Sequence, residues 1–446
     1  MCGIHRLSRI FQPITAVPKN TNLTHKDFMS KSQRLMLELG IIHQAIPGCF
    51  HFLPLGVKAL EKVINIVDEE MKSIGGQKVI FPTLVKTELW EKSGRINALG
   101  PELISLKDRH DHNYILGPTH EETASYLLST LAPMSYKKFP LLLYQITSKF
   151  RDEMKPRFGL IRGREFLMKD MYSFDLNEKE AMKTYNTVIQ SYNRIFERIG
   201  VHFVKVNGSS GAMGGNLSHE YHYPAEIGDD KIFICHQCDH KTNTELIKED
   251  ACPKCGESKN ITRSTAIEVA HSFFFGDKYA KPLNANYLDK NTKPHALQMG
   301  SYGIGVSRIL GAALECLSLE QELRWPDSIA PYNVAIIPPK KGSKEAKLTE
   351  QLGENLYRSL ESHLPDLKYN ILLDDRDSLT IGRRLLDCRR TGIRYIVVLN
   401  KMSCENPPIF ELNDIVENKQ LYLGKNEIIT YIKDNGNVLH LARSMV

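Results

Sequence analysis

The apolar run Leu141-Leu142-Leu143-Tyr144-Gln145-Ile146 has strand length and leads directly into Phe150-Arg151-Asp152-Glu153. This junction restricts the fold more than any other feature, because a buried strand that ends in concentrated charge must open on a site rather than on a core. The two-residue alternation of a strand predicts Arg151 and Glu153 on one face, followed by a loop bearing Lys155, Arg157, Arg162 and Arg164. A basic and an acidic side chain pointing the same way can hold a phosphate and an amino group together.

Two further segments carry chemistry. In Gly117-Pro118-Thr119-His120-Glu121-Glu122, Thr119 and Glu121 offer a hydroxyl and a carboxylate on one side of a short extended stretch, a grip for an ammonium or imino group. In Met299-Gly300-Ser301-Tyr302-Gly303-Ile304-Gly305, glycines let a ligand approach a strand backbone closely, and the following helix carries Arg308 in its first turn, which suits a triphosphate. The loop GSSGAMGG (208–215) lacks the Lys-Ser/Thr of a P-loop and reads as structural.

Around these lie the signs of organisation. Leu60, Val63, Ile64, Val67, Met71 and Ile74 recur at helical spacing and predict a helix from Leu55 to Ile74, stopped by Gly75-Gly76, with a strand from Lys78 to Phe81 after it. Helical periodicity returns over Glu178–Ile199. Beyond a Pro326–Pro331 linker, strands 333–337, 369–373 and 395–399 alternate with helices 346–360 and 381–389, a separate α/β domain. Cys235-x-x-Cys238 and Cys252-x-x-Cys255 stand thirteen residues apart, the spacing of a four-thiolate zinc knuckle, and their setting in a long chain with nine cysteines argues for a reducing compartment. Residues 1–26 contain no acid but have Arg6, Arg9, Lys19 and Lys26 among Ser, Thr and apolar residues, a composition that suits a mitochondrial presequence. No run approaches the ~20 apolar residues of a membrane-spanning helix. A net charge of +6 permits a polyanionic partner without naming one.

In their order and spacing the segments resemble the class II aminoacyl-tRNA synthetases, and among them the bacterial and mitochondrial prolyl-tRNA synthetases, over nearly the whole chain after Asp27. Helix Leu55–Ile74 with GQKVIFPTLV is similar to motif 1, which builds the family's dimer interface. FRDE through REFLMKD is similar to motif 2 and GSYGIGVSR to motif 3, while GPTHEE, PRFGLIRGREFLMKDMYSF and HSFFFGDKY match the prolyl pattern. The resemblance implies an α+β catalytic domain, an antiparallel sheet flanked by helices, over 27–330 with a small Cys-rich insertion at about 207–263. A C-terminal α/β anticodon-binding domain over 331–446 is implied by ILLDDRDSLTIGRRLLDCRRTGIRYIVVL.

It also implies roles. Arg151 would bind the ATP α-phosphate and the amino-acid carboxylate, and Arg308 the terminal phosphates; these two are the catalytic residues. Glu153 would take the adenine amino group, Phe166 would stack on adenine, and Arg162 completes the ATP set. Thr119 and Glu121 would hold the proline imino group, with Arg151, His271, Phe273 and Ser301 around it. Arg383, Arg384, Arg389 and Arg390, crowded with Arg394 around a single acid, Asp387, would contact tRNA. The implied substrates are ATP with Mg²⁺, proline and tRNA(Pro), and the implied setting is a homodimer in the mitochondrial matrix; a structural Zn²⁺ on Cys235, Cys238, Cys252 and Cys255 is expected from the cysteine spacing alone, not from the resemblance. Only 95 residues separate Asp175 from His271, too few for the family's editing domain. A paralogue that binds without catalysis would be expected to lose the motif arginines, yet Arg151, Glu153 and Arg308 all stand; a threonyl enzyme would want zinc ligands in its pocket, where this chain has Glu121.

Overall fold

The computed structural model describes residues 3–14, 29–131, 134–215, 217–247 and 250–436. Its packing separates into two units. One comprises residues 44–50 and 63–316; the other comprises the described residues up to His43, His51–Lys62 and the chain from Leu317 onward.

The first unit is built on a nine-stranded, mainly antiparallel sheet. Its strands are β1 (Gln77–Lys78), β2 (Leu141–Phe150), β3 (Glu165–Asp175), β4 (Val204–Asn207), β5 (Leu217–Pro224), β6 (Asp230–Cys235), β7 (Lys241–Asn243), β8 (Ile261–Gly276) and β9 (Gln298–Gly305), in the order β5-β4-β7-β6-β8-β9-β3-β2-β1. Strand β8 is long enough to pair with β6 along its first half and β5 along its second. Helices α2 (Glu121–Thr130), α3 (Glu178–Ile199) and α4 (Val306–Leu317) accompany it, as does the part of α1 (Pro54–Ser73) from Val63 on.

Helix α3 covers one face of the sheet. Asn177 caps it, its side chain accepting from Glu180 N, and Gly200 at φ 84° ends it, so both termini follow from the sequence. Its buried stripe of Tyr185, Val188, Tyr192, Ile195 and Phe196 lies under β3 and β9, where Lys169 Nζ donates to Tyr192 Oη at 2.8 Å. The opposite face is left for a cavity. The expected strand Lys78–Phe81 shrinks to Gln77–Lys78, because Phe81 N donates to the Gln145 side chain instead of a ladder partner.

In the second unit, β10 (Val334–Ile337), β11 (Ile371–Leu373) and β12 (Tyr395–Val398) are parallel, and β13 (Ile409–Asp414) and β14 (Lys419–Gly424) are antiparallel, in the order β11-β10-β12-β13-β14. The expected helix 346–360 is two helices, Lys344–Leu348 and α5 (Leu352–His363); α6 (Ile381–Thr391) lies as expected. Val334, Ile336, Leu356, Leu360, Val397 and Phe410 form the core.

Two boundaries differ from expectation. Pro326–Pro331 is no exposed linker: Trp325 and Ile329 are buried, Trp325 Nε1 donates to Thr391 O at 2.8 Å, and the packing divides near residue 317. The expected presequence lies outside the described residues from 15 to 26, but its earlier part is built into the second unit. Leu373 N donates to His5 O at 2.8 Å, His5 Nδ1 lies 2.9 Å from Tyr332 Oη, and Ser8 donates through N and Oγ to the Asp375 carboxylate. Cleavage at 26 would remove all of these bonds. Among the described residues no helix is long and apolar enough to cross a membrane.

Candidate active site

Opposite α3, the first unit holds a cavity of about 320 Å³. Phe166, Met168 and Asp170 reach it from alternate positions of β3, and Ser301, Gly303 and Gly305 from alternate positions of β9. A Cβ on Gly303 would meet nothing nearer than Met168 Sδ at 3.7 Å, so the glycine is what keeps this part of the floor open.

One end is a carboxylate gripped from three sides. Glu121 opens α2, and its Oε1 accepts from Ser301 Oγ at 2.8 Å while its Oε2 accepts from Thr119 Oγ1 at 2.7 Å and Arg95 Nη1 at 3.0 Å. Arg95 is almost fully buried, lies over the Trp90 ring, and also binds Glu122 at 3.1 Å. Burial alone would lower its pKa; the charges of Glu122 and Glu121 reverse this and raise it. The segment before α2 is fixed by Tyr172, whose Oη accepts from His120 N and donates to Asp170 Oδ2, both at 2.7 Å; Lys149 Nζ neutralises Asp170 at 2.7 Å. Gly117 is required here because a Cβ would lie 2.9 Å from the His120 ring.

The opposite wall depends on an irregularity in β8. Tyr221 pairs with Ala270 but His222 pairs with Glu268, so Val269 is an extra residue. In an unbroken strand Glu268 and His271, three apart, would face opposite ways; the bulge turns both to the cavity, with Glu268 Oε1 2.8 Å from His271 Nδ1. Arg308 Nη1 donates to Glu268 O at 2.9 Å and lies 3.5 Å from Oε2. Burial tends to raise the Glu268 carboxyl, but the His271 hydrogen bond and the charges of His271 and Arg308 hold it below its usual range. His271 stacks on Phe273, ring centroids 3.9 Å apart.

Between these ends stands Arg151, over the Phe166 ring at 5.2 Å. Burial and the nearby Arg308 charge both lower its pKa, and among the described residues no carboxylate forms an ion pair with it. The charges of Glu268 and Glu102 offset this only in part, so a partly desolvated guanidinium with no paired carboxylate gains when an anion enters.

Residues 104–316 match the family described as tRNA synthetase class II core domain (G, H, P, S and T), and residues 333–435 match the anticodon binding domain. The chain is 47% identical over 388 residues to a rat protein named probable proline--tRNA ligase, mitochondrial, covering 86% of this chain and 81% of that protein. The chain belongs to the proline–tRNA ligase family. The human member of the family is 45% identical over 416 residues, covering 91% of this chain and 86% of that protein. In fold, the chain is similar to Giardia lamblia prolyl-tRNA synthetase in complex with prolyl-adenylate, with TM-score 0.76 and 17% identity over 92% of this chain and 80% of that one.

Within the proline–tRNA ligase fold, eight of the expected residues meet in the one cavity: Arg151, Phe166, Arg308, Thr119, Glu121, His271, Phe273 and Ser301. Glu153 and Arg162 do not line it. Strand β2 ends at Phe150, Glu153 N turns back to Arg151 O at 2.8 Å, and the expected shared strand face is absent; Glu153 Oε2 instead lies 2.8 Å from Arg162 Nε, and Arg162 Nη1 lies 3.0 Å from Asp229. The loop expected to be only structural lines the cavity through Ser209, Ser210, Gly211 and Met213, held by Lys278 Nζ and Tyr279 Oη donating to Met213 O. Arg95, Glu268 and Tyr172 were not anticipated.

The arginines expected to meet tRNA divide. Arg384 is fully buried, donating to Asp374 O at 3.1 Å and Pro338 O at 2.6 Å, which corrects its assignment to RNA contact. Arg383 pairs with Asp387 at 3.1 Å from an exposed position, Arg389 with Glu322 at 2.7 Å, and Arg390 with Glu38 at 3.3 Å.

Proposed function

We propose that the chain joins proline to tRNA(Pro) in two steps, forming prolyl-adenylate from ATP and then passing the prolyl group to the tRNA. The observation that carries this reading is the juxtaposition of the unpaired Arg151 guanidinium with the bound Glu121 carboxylate in one cavity: a place for anions beside a place for a cation.

A carboxylate has about four acceptor sites. Three on Glu121 are taken by Ser301, Thr119 and Arg95, which leaves one on Oε1; Thr119 Oγ1, having given its hydrogen to Glu121, keeps a lone pair. Two acceptors match the two N–H bonds of a protonated secondary amine. His271 and Phe273 then close on the pyrrolidine ring, and Phe166 supports adenine. Arg151 holds the proline carboxylate against the α-phosphate, and Arg308 takes the outer phosphates. The carboxylate oxygen attacks the α-phosphorus, the bond to pyrophosphate breaks, and no general base is needed because the nucleophile is already ionised. A terminal hydroxyl of the tRNA next attacks the prolyl carbonyl and AMP leaves. Glu153 and Arg162 take part on the adenine side only after exchanging their mutual ion pair for nucleotide.

Glu102 and Glu268, carboxylates on the cavity wall, would hold Mg²⁺. When bound, it supplies charge neutralisation on the triphosphate. We further propose a homodimer, supported by Ile80 at 83% exposure and Leu84 at 45% in the segment after α1, apolar surface that a second copy would cover. Residues 27–330 would act as the catalytic part and 331–446 as the tRNA-reading part, using Arg383, Arg389 and Arg390. The mitochondrial matrix is the expected location, supported by relatives named mitochondrial and by the basic N-terminal composition, and a structural Zn²⁺ is expected on the four cysteines.

Transfer of labelled proline to a tRNA(Pro) transcript tests the reading. Proline- and ATP-dependent charging is expected; tRNA binding without charging would instead make the chain a binding module.

A further inference from the structure

Four cysteines lie outside the cavity, at the far end of a strand that forms its wall. Their sulfurs are all within 4.8 Å of one another, with Cys235 Sγ 3.6 Å from Cys255 Sγ and Cys238 Sγ 3.7 Å from Cys252 Sγ. A Zn–S bond of about 2.3 Å places the sulfurs of a regular tetrahedron about 3.8 Å apart, so these separations have the length of tetrahedral edges. The two turns repeat one geometry: Cys235 N donates to His240 O at 2.9 Å and Cys252 N to Glu257 O at 2.7 Å, each five residues on. In both, a backbone N–H two residues ahead donates to sulfur: His240 to Cys238, Lys254 to Cys252 and Glu257 to Cys255.

The surroundings provide little else to hold these turns. Between Cys235 and Asn260 the described residues contain one three-residue strand and one short 3₁₀ turn, and Cys235 and Cys252 share a small cluster with Phe233, Ile247 and Ile261. So small a cluster does not sustain a fold without a staple.

We infer that Cys235, Cys238, Cys252 and Cys255 bind one structural Zn²⁺, and that this ion clamps β8 in the register that delivers Glu268 to Arg308. The β6–β8 ladder runs from Cys235 opposite Ile261 to Asp230 opposite Ala266, and Glu268 follows two residues later. The metal therefore closes the ladder at its open end, and the bulge at Val269 lies just beyond its other end. Without the clamp, β6 and the start of β8 fray, and Arg308 loses the carbonyl and carboxylate that aim it. The metal site stands on the cysteine geometry alone; the effect on catalysis rests on the reading of the cavity as the aminoacylation site.

The full chain, purified without chelator, should contain about one zinc by elemental analysis. Protein produced with Co²⁺ should show the ligand-field and charge-transfer bands of a tetrahedral thiolate site. Stripping the zinc from folded protein with a thiol-reactive mercurial, followed by a zinc-binding dye, avoids variants that fail to fold. Stripping should release that zinc, speed amide exchange over 261–268 by about tenfold or more relative to 395–398, and raise KM for ATP by about threefold or more in pyrophosphate exchange. A Cys252→Ser variant that folds should show the same loosening. An active, metal-free preparation with ordinary stability would overturn the site. Zinc whose removal leaves both the 261–268 exchange and KM unchanged would overturn the clamp. A chain that binds zinc and loosens on stripping, yet never shows proline-dependent exchange, would keep the clamp and overturn the aminoacylation reading.

Discussion

Arg95 Nη1 lies 3.0 Å from Glu121 Oε2, and both side chains are almost wholly inaccessible to solvent. The same nitrogen reaches Glu122, so one guanidinium compensates two buried carboxylates. Removing one partner of such a set leaves uncompensated buried charge at a cost of about 3–5 kcal/mol. Arg95→Met should therefore lower the denaturant midpoint sharply and abolish proline activation together. An unchanged midpoint would contradict the account.

Arg151 should behave in the opposite way. It forms no ion pair with a carboxylate among the described residues, and desolvation already works against it, so Arg151→Ala should leave stability unchanged or slightly higher. Losing a preorganised charge at the reacting phosphate should cost about 10²–10³ in the rate of adenylate formation. Exchange within about threefold of the parent would contradict its role.

The contrast between these residues explains what was legible in the sequence. Arg151, Phe166, Ser301 and Gly303 sit on or beside strands whose period of two is plain, and the segments that carry them are contiguous. Glu268 was hidden because a bulge at Val269 changes which face it presents, and nothing in ITRSTAIEVAHSFFFG marks the extra residue. Arg95 was hidden because its partners lie 26 and 27 residues on, joined only by tertiary packing. Arg384 misled because a run of arginines reads as one surface, whereas the helical turn of α6 sends it inward and Arg383 outward. The N-terminal segment shows the same limit: its composition suits a mitochondrial presequence, and composition carries no sign that His5 and Ser8 bond to the edge of a sheet.

That division of arginines is testable in the tRNA step. Replacing Arg383, Arg389 and Arg390 with alanine should raise KM for tRNA and flatten the salt dependence, by about 0.7–0.9 in log–log slope for each phosphate no longer neutralised. Pyrophosphate exchange should not follow. Arg384→Ala should instead destabilise, since the buried Asp374 carbonyl is left without its donor at about 1–3 kcal/mol and the half-buried Pro338 carbonyl loses its donor as well. If Arg384→Ala changes only the tRNA step, Arg384 is a tRNA contact and not a packing residue.

Asp175 gives a pH prediction. It is 1% exposed, accepts from Thr184 Oγ1 at 2.7 Å, and burial pushes its carboxyl up from 3.8 to about 6. The folded chain therefore keeps a proton that the unfolded chain has released, and this group's contribution to stability falls as pH rises from about 4 to about 6. A shift of about two units corresponds to about 3 kcal/mol. Asp175→Asn keeps the acceptor for Thr184 and removes the titration, so its unfolding free energy relative to the parent should increase by about 2–3 kcal/mol between pH 4 and 7.5. A constant difference across that range would contradict the assignment.

Activation of proline in the Glu121 and Arg151 cavity is measured by ATP–pyrophosphate exchange with the full chain and each amino acid in turn. Exchange is expected with proline, more weakly with alanine because a missing methylene is worth only about 1–3 kcal/mol, and the proline signal should be lost in Arg151→Ala with the fold intact. No proline-dependent exchange in a folded, ATP-binding preparation would contradict it, as would full activity in the Arg151→Ala variant.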